Sequence, residues 1–211
     1  RGFADNIHSG SSSSVSAFEY IKSRNNSETL VIAFAGIKFA LGPGVDLKPQ
    51  SEFAVTLAKL GCSVLFCKDS SKSFFSADPN EDVYKENIEI WEDRIKEYAK
   101  DYKTVIMVGN SMGANGALLY SRHASCVIVY DAVDISQGKF ENVHAKVLES
   151  MTVAVNKGCK IFLNSGDDDI EHNKLLAKHA KCTVFHYENC SHSECITKSL
   201  EDGSFFKLID V

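Results

Sequence analysis

The stretch "VIMVGNSMGANGAL", residues 105–118, decides the fold. Four apolar residues run into Gly109-Asn110-Ser111-Met112-Gly113, and a run of small residues suited to a helix follows. A serine between two glycines, where a strand turns into a helix, has two chemical readings. Either the glycines make room for a ligand phosphate, or they let the serine project as a nucleophile.

The phosphate reading fits less well. A dinucleotide fingerprint needs glycine at its first, third and sixth positions. Counted from Gly109, those positions hold Gly109, Ser111 and Ala114, so serine replaces the glycine that lets backbone approach a pyrophosphate. Asp131 does follow the next strand, as the ribose-binding acid of such a site would. A P-loop is ruled out because no Gly-Lys-Ser/Thr follows.

The nucleophile reading accounts for more. In a Gly-x-Ser-x-Gly elbow the turn is so tight that the residues two before and two after the serine must be small. Gly109 and Gly113 meet that need. The serine then stands at the amino end of the helix expected over 112–123, where the helix dipole favours developing negative charge.

A serine hydroxyl needs a base, and the base needs an orienting acid. In this arrangement they follow the serine in the order acid, then histidine, at later strand ends. The strand "KIFLNSG" runs into Asp167-Asp168-Asp169, and the last strand, "TVFHY", leads through a short loop to His192. The other histidines are placed less well. His186 lies inside a strand, His172 and His179 sit seven apart on a helix, and His8, His123 and His144 are not at strand ends.

Outward from this centre the chain alternates. Buried strands are expected at 29–36, 62–68, 104–109, 126–130, 159–166 and 182–187, each a near-continuous apolar run. Helices are expected at 51–61, 81–102, 112–123, 141–156, 170–180 and 193–209. In the second of these, Tyr84, Ile88, Trp91, Ile95, Tyr98 and Tyr102 recur at steps of three and four and read as a core-facing stripe. Strand–helix alternation implies right-handed crossovers and a mostly parallel sheet covered by helices on both faces. Length and composition (211 residues, 44% hydrophobic) suit one such domain. It is expected over 28–211, behind a polar lead-in and first short element at 1–27.

Composition removes other classes. A net charge of −5 with no basic block argues against a nucleic-acid binder. There is no apolar run of the roughly 18 to 20 residues a membrane span needs, and no charged-then-apolar leader opens the sequence. Seven cysteines, an odd number mostly in strand-like runs, fit the cytoplasm or another reducing compartment. No CxxC pair supports a zinc site, and neither a metal nor an organic cofactor is called for.

With GNSMG, the SGDDD loop and the CSH loop on the page, the chain resembles the α/β-hydrolase fold over about residues 28 to 209. The resemblance implies a Ser-His-Asp triad with Ser111 as nucleophile and His192 as base. In many members the acid stands three residues after a glycine closing its strand, which selects Asp169, with Asp167 the nearest rival. Asp131 and Asp134 follow the preceding strand, where some members carry the acid. The oxyanion hole would use the N–H of Met112 and one from the loop "FAGIKF", with Ile37 the best second donor. Many members have a His-Gly pair in that loop, where this chain has Ala35-Gly36.

The implied activity is hydrolysis of a small-molecule ester or thioester through an acyl-enzyme. An acyltransferase would use the same residues, and a non-catalytic binding protein would keep the fold alone. A chain of this size leaves room for a small lid or none. The segments 69–83 and 131–141 are the candidates to cover the site, and the adjacent Phe74 and Phe75 either touch an acyl chain or anchor their loop.

Overall fold

A computed structural model describes residues 16–36, 53, 56, 57, 59–79, 85–192 and 194–209. Seven strands form one sheet: β1 (Phe18–Ile21), β2 (Thr29–Phe34), β3 (Ser63–Cys67), β4 (Thr104–Asn110), β5 (Cys126–Tyr130), β6 (Lys160–Ser165) and β7 (Thr183–His186). Their order across the sheet is β1-β3-β2-β4-β5-β6-β7, parallel throughout except for β1, which pairs antiparallel with β3.

The central strands are buried on both faces, so they carry no polar alternation: every residue of β3 and β5 is buried, as are Leu30–Phe34 of β2. Successive side chains still point to opposite sides. Leu30, Ile32, Phe34 and Met107 face a core shared with Trp91, Leu118, Val143, Val147 and Leu176. Val31, Ala33, Ile106, Val108 and Tyr130 face a second core with Leu57, Cys195 and Phe205.

The helices supply those residues. On the first face lie α1 (Ile88–Ala99), α2 (Met112–Leu119), α3 (Glu141–Asn156) and α4 (Ile170–Ala180); on the second lie α5 (Glu194–Glu201) and α6 (Ser204–Ile209). The expected α/β architecture, a mostly parallel sheet with helices on both faces, is the one observed.

Three expectations need correction. The helix read over 81–102 starts at Ile88, because the backbone before it pairs elsewhere: Glu86 bridges Ala77, and Asn87 N–H donates to Ser76 C=O at 2.7 Å. Within it Trp91 and Ile95 are buried, whereas Ile88, Tyr98 and Tyr102 are half-buried, and Tyr84 lies outside the described residues. The helix read over 112–123 ends at Leu119 and finishes in a 3₁₀ turn, Ser121–His123. The helix read over 193–209 is two helices, broken where Gly203 takes a left-handed φ of 76°. Of the helix expected over 51–61, residues 51, 52, 54, 55 and 58 lie outside the described residues.

The sheet itself begins upstream of residue 28, with β1 against Ser63–Cys67. All seven cysteines are free thiols. Among the described residues, no helix is long and apolar enough to cross a membrane.

Candidate active site

The junction between β4 and α2 is set by two steric facts. A Cβ on Gly109 would stand 2.1 Å from the carbonyl oxygen of Gly113, and a Cβ on Gly113 would stand 2.1 Å from that of Phe34. The chain can therefore fold back on itself, and the start of α2 can lie against the end of β2, only with glycine at both places. Between them Ser111 is forced to φ 54°, ψ −122°, a backbone conformation that costs a non-glycine residue on the order of 1–3 kcal/mol. The surroundings hold it there: Ser111 N–H donates to Tyr130 C=O at 2.9 Å, and Ala114 N–H to Ser111 C=O at 2.9 Å. Ser111 is half-buried, at the mouth rather than inside the core.

The loops after β6 and β7 meet above this elbow. The three consecutive aspartates each serve a different station. Asp167 Oδ1 pairs with His186 Nε2 at 2.7 Å, and its Oδ2 accepts from Asn189 N–H at 2.9 Å. Asp168 Oδ2 accepts from His192 N–H at 3.0 Å. Asp169, 17% exposed, accepts from His192 Nδ1–H through Oδ2 at 2.7 Å. With that proton on Nδ1, the ring's Nε2 is free to accept from Ser111 Oγ–H, which lies 2.9 Å away. Ser111, His192 and Asp169 thus form one continuous hydrogen-bonded chain.

Asp167, the rival acid, is occupied by His186. Asp131 is fully buried at the end of β5. Asp134 faces His172 at 3.7 Å, and the hydroxyl of Ser136, together with its N–H, holds the Asp134 carboxyl below the usual range. His144 and His172 pack near each other, and burial pushes both rings below the ordinary histidine value.

Met112 is the first residue of α2, so its N–H has no acceptor within that helix. Ile37 lies outside the described residues. Upstream of it, Ala35 N–H is bonded to Cys67 C=O at 2.9 Å, and the backbone of Phe34 and Ala35 abuts Gly113.

Segment 69–79 is a packed wall rather than an open flap. Buried Asp69 accepts from Ser71, Ser73 and the N–H of Phe75, which holds Lys72, Phe74 and Phe75 at φ of 54°, 58° and 60°. Phe75 is fully buried between Phe34 and Trp91, so it anchors the loop. Phe74 is half-buried and meets Phe140 edge-on at 4.9 Å, joining the two segments expected to cover the site.

No family model matches the chain, and no curated protein matches it in sequence. Solved structures do match in shape. Est1E from Butyrivibrio proteoclasticus superposes with a TM-score of 0.56 at 15% identity, over 92% of this chain and 94% of that one. The chain has the α/β-hydrolase fold. Structures reported for the metagenome-derived lipolytic enzymes LipS and LipT give a TM-score of 0.59 at 11% identity, covering 92% and 97%. A carboxylesterase study of Nitrososphaera gargenis gives 0.57 at 11%, covering 90% and 92%. In this α/β-hydrolase-fold chain the elbow after β4 and the loops after β6 and β7 stand at the carboxyl ends of the parallel strands, where ligands bind in open α/β sheets.

Among the described residues, one group brings three potential metal donors together: one atom each of Asp131, Asp169 and His192 lie within 4.8 Å of one another. The oxygens of Asp131 are already engaged by Gly166 N–H and Cys195 Sγ–H, and His192 Nδ1 by Asp169, so these atoms do not form an open ligand set. Neither the burial of Asp131 nor its thiol partner is legible in sequence. A strand-end acid facing a helix-start cysteine 64 residues later leaves no local pattern.

Proposed function

We propose that this protein is a serine hydrolase that cleaves a carboxylic ester or thioester of a small molecule. The observation that carries the proposal is the chain of two hydrogen bonds, Ser111 Oγ to His192 Nε2 at 2.9 Å and His192 Nδ1 to Asp169 at 2.7 Å. Solved structures of similar shape that are named as carboxylesterases or lipolytic enzymes support it.

His192 takes the hydroxyl proton at Nε2 as Ser111 Oγ attacks the substrate carbonyl. Asp169 keeps the ring in the tautomer that leaves Nε2 open, and it stabilises the imidazolium that forms. The developing oxyanion faces the amino end of α2, where Met112 N–H is one donor, and Ile37 N–H is the second donor expected from the sequence. Each such donor contributes on the order of 100- to 1000-fold in rate. The tetrahedral intermediate collapses, and the proton on Nε2 passes to the departing alcohol or thiol. Water, deprotonated by the same nitrogen, then releases the acid from Ser111.

The test is labelling with a fluorophosphonate probe beside Ser111→Ala, followed by turnover of p-nitrophenyl and thioester substrates of graded acyl length. Labelling of the parent that is lost in Ser111→Ala is expected. A well-folded parent that resists the probe and all substrates overturns the proposal.

A further inference from the structure

Asp131 directly follows β5 with φ 49° and no solvent exposure, and its N–H donates to Asn164 C=O at 2.9 Å. Its side chain joins two segments that do not otherwise share an element. Oδ1 accepts from Gly166 N–H at 2.9 Å, at the start of the loop that carries the three aspartates. Oδ2 accepts from Cys195 Sγ–H at 2.9 Å, in the first turn of α5. Gly166 lies three residues before Asp169, and Cys195 lies three residues after His192. The two attachment points therefore flank the acid and the base at equal chain distance.

The same junction admits no slack. A Cβ on Gly166 would stand 2.3 Å from the carbonyl oxygen of Cys190, and Asp167 N–H donates to that carbonyl at 2.7 Å. Burial pushes the Cys195 thiol far above its usual value, and the charge of Asp131 adds to the rise, so the sulfur remains an S–H donor. One oxygen of Asp131 also lies within 4.8 Å of the His192 nitrogen and the Asp169 oxygen.

We propose that Asp131 is a positioning residue for His192 and Asp169, clamping their two loops through Gly166 N–H and the Cys195 thiol and adding a second carboxylate beside the imidazole. It acts through the pair. This rests on the hydrolase reading for its kinetic consequence, though not for its geometry.

The experiment is Asp131→Asn in the full chain, with the His192 ring titrated by NMR and hydrolysis measured alongside. Asp169 bonds the ring, Asp168 bonds the His192 N–H and Asp131, just after β5, lies in one cluster with the ring, while Glu194 and Cys195 follow in α5 on Ser191 and Asp131; of these Asp131→Asn neutralises one. Removing the carboxylate beside the ring is expected to lower the His192 midpoint measurably. Loosening the clamp lowers kcat roughly 10- to 100-fold with little change in KM. A role confined to stability would lower the melting temperature and leave the midpoint in place. A folded Asp131→Asn protein with parental midpoint and kcat overturns the inference.

Should Asp131→Asn fail to fold, Cys195 decides. Cys195→Ser keeps a donor on Oδ2, and Cys195→Ala removes it, so the alanine variant is expected to lose more kcat and to shift the His192 midpoint further. Equal behaviour of the two overturns the inference. The NMR arm needs no substrate: a parent that resists the fluorophosphonate probe sinks the hydrolase reading alone, and the midpoint still judges the clamp.

Discussion

Replacing Gly113 by alanine places a methyl group where the backbone of β2 already stands. The new Cβ would lie 2.1 Å from Phe34 C=O, whereas real Cβ contacts essentially never fall under 3.0 Å. The start of α2 must therefore retreat from β2 by about 0.9 Å. Backbone cannot rotate out of the way as a side-chain end can, so the displacement passes to Ser111, two residues earlier. Overpacking of this kind costs about 1–3 kcal/mol, and each kcal/mol lowers Tm by roughly 2–4 °C in a chain of this length. The larger effect is on chemistry, because misplacing a reacting group by about 1 Å costs on the order of 100-fold in rate. Gly116→Ala is the control on the same helix: its Cβ meets the Phe75 ring at 2.4 Å, away from the elbow. It carries a similar stability cost and keeps most of the activity. Turnover of p-nitrophenyl acetate measures the rate, and fluorescence of Trp91, the sole tryptophan and fully buried, monitors folding. A folded Gly113→Ala protein within threefold of the parent, or a Gly116→Ala protein as slow as Gly113→Ala, refutes the reasoning.

Two further predictions concern stability. Tyr120 is 1% exposed, and its hydroxyl donates to Phe75 C=O at 2.6 Å, so Tyr120→Phe leaves a buried carbonyl without that donor. The expected loss is about 1–3 kcal/mol, read as a lower midpoint in urea; an unchanged midpoint would count against the bond. Burial lowers the pKa of His123, His144 and His172 below 6.5, so the unfolded chain binds protons that the folded chain resists. Stability therefore falls as pH drops below about 6.5, well above the range where Asp134, with an ordinary value of 3.8 and held lower, begins to protonate. Melting temperatures from pH 7.5 to 5.5 should decline in the parent and less steeply in His172→Gln. Parallel curves would exclude His172 as a contributor.

The parallel strands were legible because burial on both faces leaves continuous apolar runs such as "CVIVY" and "TLVIAF". β1 was legible only as an unspecified first short element, since "FEYI" is a four-residue edge strand with half its side chains exposed. Helix ends were over-read where hydrophobic spacing continues past a backbone committed elsewhere, as at Glu86 with Ala77. At the site, the residues themselves named three strand-end loops, and only the family resemblance favoured Asp169 over Asp167, two residues away. That choice lies in partners far along the chain: Asp167 turns to His186, and Asp169 to His192. The pair Phe74-Phe75 was ambiguous for the same reason, because only tertiary packing separates a buried anchor from a half-buried neighbour.

Ser111 and His192 are 81 positions apart, and the ring that bonds to the serine arrives with the last strand and the loop after it. On a ribosome adding about 5–20 residues per second, the elbow emerges several seconds before its base exists. During that interval the chain carries the elbow serine with no histidine from the last loop to take its proton. Under the proposed mechanism, reactivity would appear only as the far edge of the sheet closes, so a truncated or stalled product is expected to be chemically silent even with most of its core in place.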